Sequence, residues 1–246
     1  MPSCAGNVNS SGNSDSSSNS NSKRLFLAGA LALDATECLS KSDPSTPLLA
    51  NGTWDLAFGS SYRAVVLVST SFTESGSAAA PATQTEQVAL RRADVTLTTP
   101  AGDVLSEYSS VGTGFIDAGK VGSPAYGSLA FTVIPGDLGA TPPIQGAQQL
   151  VAKIRVFGEA LDGTALTSNE FDFPIRVCTG CLVHYPVTAA DPTVGGGYKC
   201  VTAPPLEEQA EPAPCTLGQD TPFSCVLCAA SVAMCRDPSL NPSVKF

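Results

Sequence analysis

The stretch from Cys178 to Cys235 begins with CTGCLVHY at 178–185 and ends with CVLCAASVAMC at 225–235. It holds seven of the chain's nine cysteines, including two C-x-x-C pairs. Thiols at this density stay paired only where the surroundings are oxidising. The stretch therefore predicts a disulfide framework in an exported protein.

The number of cysteines in this stretch is odd, so the stretch cannot pair all of them internally. The other two cysteines of the chain are Cys4 and Cys38. If every cysteine of the stretch is bonded, at least one bridge must reach one of these two positions. The sequence therefore predicts that a disulfide bond joins the tail to the N-terminal part of the chain.

The first residues place the small Ser3 directly before Cys4. Residues 7–22 are almost entirely Ser, Asn and Gly, a composition that cannot bury apolar surface and predicts a flexible tether. A small residue, a cysteine and a soft tether in this order resemble the N-terminus of a bacterial secreted lipoprotein. The resemblance implies that Cys4 is lipidated, that residues 1–22 form the lipidation site and tether, and that a lipid anchor holds the protein to a membrane.

The same resemblance implies a location for the protein and leaves an even number of cysteines for disulfide bonds. Ala5 follows Cys4, where inner-membrane lipoproteins carry Asp, so the outer membrane or cell surface is expected. With Cys4 lipidated, eight cysteines remain for four bridges, and their connectivity stays open. These predicted disulfide cysteines are Cys38, Cys178, Cys181, Cys200, Cys215, Cys225, Cys228 and Cys235.

The composition favours a secreted β-rich protein and excludes some partners. Charged residues make up only 14% of the chain and the formal net charge is −9. A nucleic-acid partner requires a basic surface that displaces phosphate counterions, so none is expected. No apolar run reaches the 18 or so residues that a membrane-spanning helix needs.

Residues 23–177 show a β pattern interrupted at short intervals by Gly, Pro, Asn and Asp. Leucines alternate over Leu25–Leu33, and β-forming residues dominate Ser61–Thr70. The pair Asp162-Gly163 predicts a tight hairpin after a strand over Leu150–Glu159. Seven or eight such short strands predict an all-β fold, an immunoglobulin-like antiparallel sandwich.

Residues 178–246 are expected to form a small, disulfide-rich C-terminal module with one short helix. Much of this segment is rich in Pro, Gly and Ala, so bridges must replace missing core burial. The helix is predicted over Pro222–Arg236, with Thr221 as its N-cap and Pro222 in its first turn. Cys225, Cys228 and Cys235 would then lie on one helical face.

Two chemical alternatives to a purely structural role of the cysteines remain open. Four thiolates from Cys178, Cys181, Cys225 and Cys228 could form a tetrahedral zinc site. Cys225 and Cys228 could instead form a redox-active pair, because a helix N-terminus lowers the pKa of a thiol. The preferred interpretation has neither, since zinc leaves the other cysteines unexplained and a thioredoxin-like βαβ context is missing.

No catalytic site is predicted. His184 is the only histidine, and no hydrolase, metalloprotease, nucleotide or dinucleotide motif occurs. The sequence therefore predicts a protein without catalytic residues, metal or cofactor, which binds a protein or glycan ligand or serves a structural role at the bacterial envelope. An extracytoplasmic thiol–disulfide protein using Cys225 and Cys228 is the alternative.

Overall fold

A computed structural model describes residues 25–70, 87–117, 124–139, 141, 144, 149–185, 200, 214–229, 231–237 and 240–243. Cys4 and the predicted tether over residues 1–22 lie outside this range. Within the described residues the structure is mostly β, which confirms the predicted class. The helices found there are short, and none is long and apolar enough to cross a membrane.

The elements follow one another along the chain with strands of very different length. The strands are β1 (Leu25–Leu31), β2 (Leu48–Leu49), β3 (Gly52–Asp55), β4 (Tyr62–Thr70), β5 (Val88–Thr98), β6 (Val104–Ile116), β7 (Ala125–Ile134), β8 (Gln149–Ala160), β9 (Ala165–Thr167), β10 (Phe171–Cys178), β11 (Val183–His184) and β12 (Phe223–Ser224). The helices are α1 (Gly136–Gly139), a 3-10 turn (Cys225–Leu227) and α2 (Ala233–Arg236).

Ten strands belong to one sheet, in the order β2-β1-β4-β7-β6-β5-β8-β10-β3, with β9 paired to β8. Every neighbouring pair is antiparallel except β10 and β3. An immunoglobulin-like sandwich has two separate sheets, so that part of the prediction is not confirmed. The physical reason lies in strand length: β4 to β8 have nine or more residues each, and long twisted strands can coil while pairing continuously.

The sheet curls until β1 approaches the connection between β9 and β10, so the fold is nearly barrel-like. The backbone N–H of Leu27 donates to Oδ1 of Asn169 at 2.9 Å, and Leu25 forms a bridge with Ser168. Inside the curl lies one hydrophobic core that includes fully buried Trp54 and Phe173. Trp54 is therefore a core residue.

The tail fills the gap between β3 and β4 with Gly218–Asp220, called the seam segment below. Its backbone pairs with β3: the N–H of Asp55 donates to the Gly218 carbonyl at 2.8 Å, and the N–H of Asp220 to the Thr53 carbonyl at 2.9 Å. On the other side, the side-chain amide of Gln219 makes the two hydrogen bonds that a neighbouring strand would make. It accepts from the backbone N–H of Arg63 and donates to the Arg63 carbonyl. The tail is thus joined to the sheet by hydrogen bonds as well as by sulfur.

The described part of the tail also has its own small hydrophobic cluster. Leu182, Val183 and Phe223 are buried with Cys200 and the cysteines that follow Ser224. Phe58, from the turn between β3 and β4, packs its ring edge-on against Phe223 with centroids 5.0 Å apart. The cluster therefore rests against the end of the sheet at which β3 finishes.

The predicted helix over Pro222–Arg236 is wrong. Phe223–Ser224 forms a strand, Ser224 caps the short 3-10 turn, and α2 begins only at Ala233. The Cys228–Cys235 bridge explains the interruption, because its Cα atoms lie 5.8 Å apart. Seven residues of continuous helix would separate those atoms by about 10 Å, beyond the reach of a disulfide.

Candidate functional site

The structure pairs eight cysteines into four disulfides, and the disulfide-rich character of the chain is confirmed. The bridges are Cys38–Cys215, Cys178–Cys181, Cys200–Cys225 and Cys228–Cys235. The first joins positions 177 residues apart and lies beside the seam segment. Cys4, the predicted lipidation site, lies outside the described residues, so its state remains a prediction.

The Cys225–Cys228 redox pair and the four-thiolate zinc site do not form in this structure. Cys225 bonds to Cys200, whereas Cys228 bonds to Cys235, so the two do not form a redox pair. The chain turns after Cys228, whose carbonyl accepts from the N–H of Val232, and this turn returns Cys235 to it. The four cysteines of the zinc hypothesis are likewise bonded in three different disulfides, so they do not offer thiolates to a metal.

The CTGC loop, residues 178–181, folds around the buried carboxylate of Asp55, which accepts hydrogen bonds from the backbone there. Oδ1 of Asp55 accepts from the N–H of Gly180 at 2.7 Å, and Oδ2 accepts from the N–H of Leu182 at 3.0 Å. The carboxylate and the sulfurs of Cys178 and Cys181 lie within 4.8 Å of one another. Because the two sulfurs are bonded to each other, they do not offer thiolate ligands to a metal.

Asn241 completes the CTGC loop from the C-terminal side. Its Nδ2 donates to the Gly180 carbonyl at 2.8 Å and to the Tyr185 hydroxyl at 3.2 Å. Gly180 has φ +75°, and a Cβ there would lie 2.3 Å from the Asn241 amide oxygen. This position therefore requires glycine both for its backbone conformation and for space.

A second feature is a cleft of about 370 Å³ between β1, β4 and the tail. Leu31, Leu33 and Leu49 supply apolar lining, and the Cys38–Cys215 bridge forms part of the wall. Arg63 is the only basic residue among the described residues that line the cleft. Small-ligand sites are typically concave and largely apolar with a few polar groups, so this cleft is a candidate binding site.

The lining of the cleft includes a hydrogen-bonded pair, the buried Tyr62 and the half-buried Asp220. The Tyr62 hydroxyl donates to the Asp220 carboxylate at 2.9 Å, and the N–H of Thr53 donates to the same carboxylate at 2.7 Å. Burial raises the pKa of the Tyr62 phenol far above its usual range, and the Asp220 charge adds to this. Burial also raises the pKa of Asp220, although hydrogen bonds from Thr53, Tyr62 and Gln219 act in the opposite direction.

The shifted Asp220 predicts a pH dependence of stability. Because its pKa is higher in the folded protein than the unfolded value of about 3.9, its contribution to folding is complete at lower pH and is lost as pH rises through this window. We expect the free energy of unfolding of the wild type, relative to D220N, to fall as pH rises from about 4 toward neutrality. Urea denaturation across that range measures the difference.

Asp34 provides a control with the opposite sign. Hydrogen bonds, first from the Thr36 hydroxyl, lower its pKa to about 2, so its contribution is present above the unfolded pKa and is lost as pH falls. The difference between wild type and D34N should therefore grow as pH rises. If the free energies of unfolding of wild type and D220N change in parallel with pH, Asp220 is not the group responsible.

Asp55, Gln219 and Asp220 are not among the residues predicted from the sequence, because isolated polar residues carry no distinguishing local pattern. His184 lies half-buried in β11.

No family model matches this chain, and a search of curated proteins finds no similar sequence.

Proposed function

We propose that this chain is an extracytoplasmic, lipid-anchored protein with a binding or structural role at the bacterial envelope, as in adhesion or as an assembly accessory. The observation that carries the proposal is the bonding of all eight cysteines from Cys38 onward. Thiols of an exported protein are oxidised, whereas those of most cytosolic proteins stay reduced. Cys4 is the one cysteine left over, which agrees with a separate role for it in lipidation.

The structural part of the role is supported by the way the chain is fixed. The Cys38–Cys215 bridge and the hydrogen bonds of the seam segment both join the tail to the sheet beside the cleft, so we expect the wall of the cleft to be held in place. A rigid scaffold reduces the entropy cost of binding, since little must be ordered when a ligand arrives. The cleft is therefore the place at which we expect a protein or glycan ligand to bind.

Lipidation is tested by growing the producing bacterium with an alkyne-tagged fatty acid. The native protein should carry the tag and partition with membranes, because several acyl chains give firm anchoring. The Cys4→Ser variant should lose the tag and appear in the soluble fraction. Equal labelling of the native protein and the variant would contradict lipidation at Cys4.

Binding at the cleft is tested with the C4S protein, which separates ligand contact from the lipid anchor. This protein should bind saturably to isolated envelopes of the producing bacterium. Arg63→Glu reverses the charge at the cleft mouth and should weaken that binding about tenfold, equivalent to about 1.4 kcal/mol. Arg176→Glu, an exposed change on β10, is the matched control. If the C4S protein binds equally well with and without the R63E change, the cleft is not the ligand-binding site.

A further inference from the structure

We propose that the Cys178–Cys181 disulfide is a thiol–disulfide exchange site, which accepts two electrons from a dithiol and returns them to a disulfide. This activity goes beyond the proposed binding role. It is tested on purified protein, so its failure and the failure of the binding role are distinguishable.

Hydrogen bonds hold the CTGC loop in addition to the S–S bond. Asp55 accepts from Gly180 and Leu182, while Asn241 donates to the Gly180 carbonyl. Cys178 is also the last residue of β10 and is paired with Asp55 of β3. Opening the bridge therefore leaves both thiols beside each other, and bonds between preorganised thiols re-form readily.

The other three bridges lack this combination. Cys225, Cys228 and Cys235 are at most 1% exposed and belong to the small core of the tail, so opening their bridges disturbs packing. The Cys38–Cys215 bridge is more exposed, but it holds together segments that are 177 residues apart. Cys178 and Cys181 are half-buried, and Thr179 between them is exposed, so an external thiol can approach this loop.

The exchange reaction balances with a dithiol as the co-reactant. One thiolate of the dithiol attacks a sulfur of the bridge, which breaks the Cys178–Cys181 bond and forms a mixed disulfide. The electron pair leaves on the other cysteine sulfur, which takes up a proton. The second thiolate of the dithiol then attacks the mixed disulfide, so the dithiol departs oxidised and both cysteines become thiols.

Selective reduction tests the assignment. The purified, fully oxidised protein is exposed to limiting dithiothreitol, quenched with acid, alkylated and mapped by mass spectrometry. Cys178 and Cys181 should be alkylated together at least about ten times faster than the other bonded cysteines, because their bridge is both accessible and locally supported. If the more exposed Cys38–Cys215 bridge opens first or at the same rate, the proposal is wrong.

Reversibility is the second measurement. Protein reduced only at Cys178 and Cys181 should keep its near-UV circular dichroism and reduce 5,5′-dithiobis(2-nitrobenzoate), after which the bridge is restored. The double variant C178S/C181S should fold but lose this rapid reaction. A folded double variant that consumes dithiothreitol as fast as the wild type would assign the exchange to another bridge.

Asp55 acts in this proposal as the positioning residue of the loop. Asp55→Asn retains one carbonyl-type oxygen and loses the acceptor for Leu182, so the two thiols are held less closely. The equilibrium constant for forming the Cys178–Cys181 bridge from the reduced pair, measured against glutathione, should fall about tenfold in D55N. The constant for Cys228–Cys235 should stay unchanged, whereas a general loss of stability would lower both.

Discussion

Replacing both Cys38 and Cys215 with serine is expected to lower the free energy of unfolding by about 5 kcal/mol, because this bridge closes the longest loop among the four bridges of the described residues. Without the bridge, the unfolded chain regains the freedom of the whole segment between the two positions. The folded chain also loses a covalent link beside the seam segment. Guanidinium denaturation of the oxidised double variant and wild type measures the effect.

The matched control for this prediction is the C178S/C181S double variant. Its bridge closes a loop of sequence separation 3, so the same chain-entropy argument gives only about 2 kcal/mol. The two double variants remove the same number of sulfur atoms and differ in loop length. Equal losses of stability would show that loop closure is not what the Cys38–Cys215 bridge contributes.

Asp55→Ala is expected to lower the free energy of unfolding by about 4 kcal/mol, since it leaves buried N–H groups without an acceptor. The wild-type carboxylate accepts from the N–H groups of Ala57, Gly180 and Leu182, and Asp55 is 0% exposed. Removing it disconnects the CTGC loop from the end of β3. Denaturation midpoints of D55A and wild type provide the comparison.

Asp43→Ala is the control for the role of burial. Asp43 also accepts from a backbone N–H, that of Ser45 at 2.7 Å, but it lies in an exposed turn. Water can satisfy the released N–H there, so the expected loss is much smaller than that of D55A. A D55A variant that is no less stable than D43A would contradict the role given to the buried carboxylate.

The sequence predicted the features that depend on a few neighbouring residues. The Asp162-Gly163 pair correctly marked the β8–β9 hairpin, in which the N–H of Gly163 donates to the Ala160 carbonyl and Gly163 has φ +83°. Only Gly163 of that pair has a positive φ, whereas the tightest hairpin turns need a positive φ at both central residues. The alternating leucines of β1 likewise identified its buried face.

The predictions that failed depended on distant parts of the chain. The face shared by Cys225, Cys228 and Cys235 predicted a helix, but bonding to Cys200 and between Cys228 and Cys235 imposes a turn. The prediction of a two-sheet sandwich is not confirmed for a similar reason. A pattern of period two specifies which residues of a strand are buried, and it does not specify how far a long sheet coils.

By itself, the sequence determined a mostly β chain with a disulfide framework. The alternation of apolar and polar residues along a strand and the number of cysteines can both be read without knowing the tertiary structure. Only the tertiary structure decided which cysteines pair and which polar residues are buried. Gln219 becomes part of the sheet edge because the tail returns between β3 and β4, and Asp55 becomes an acceptor because the CTGC loop folds over it. Such partners lie more than 100 residues apart, and the curl of the sheet brings them together.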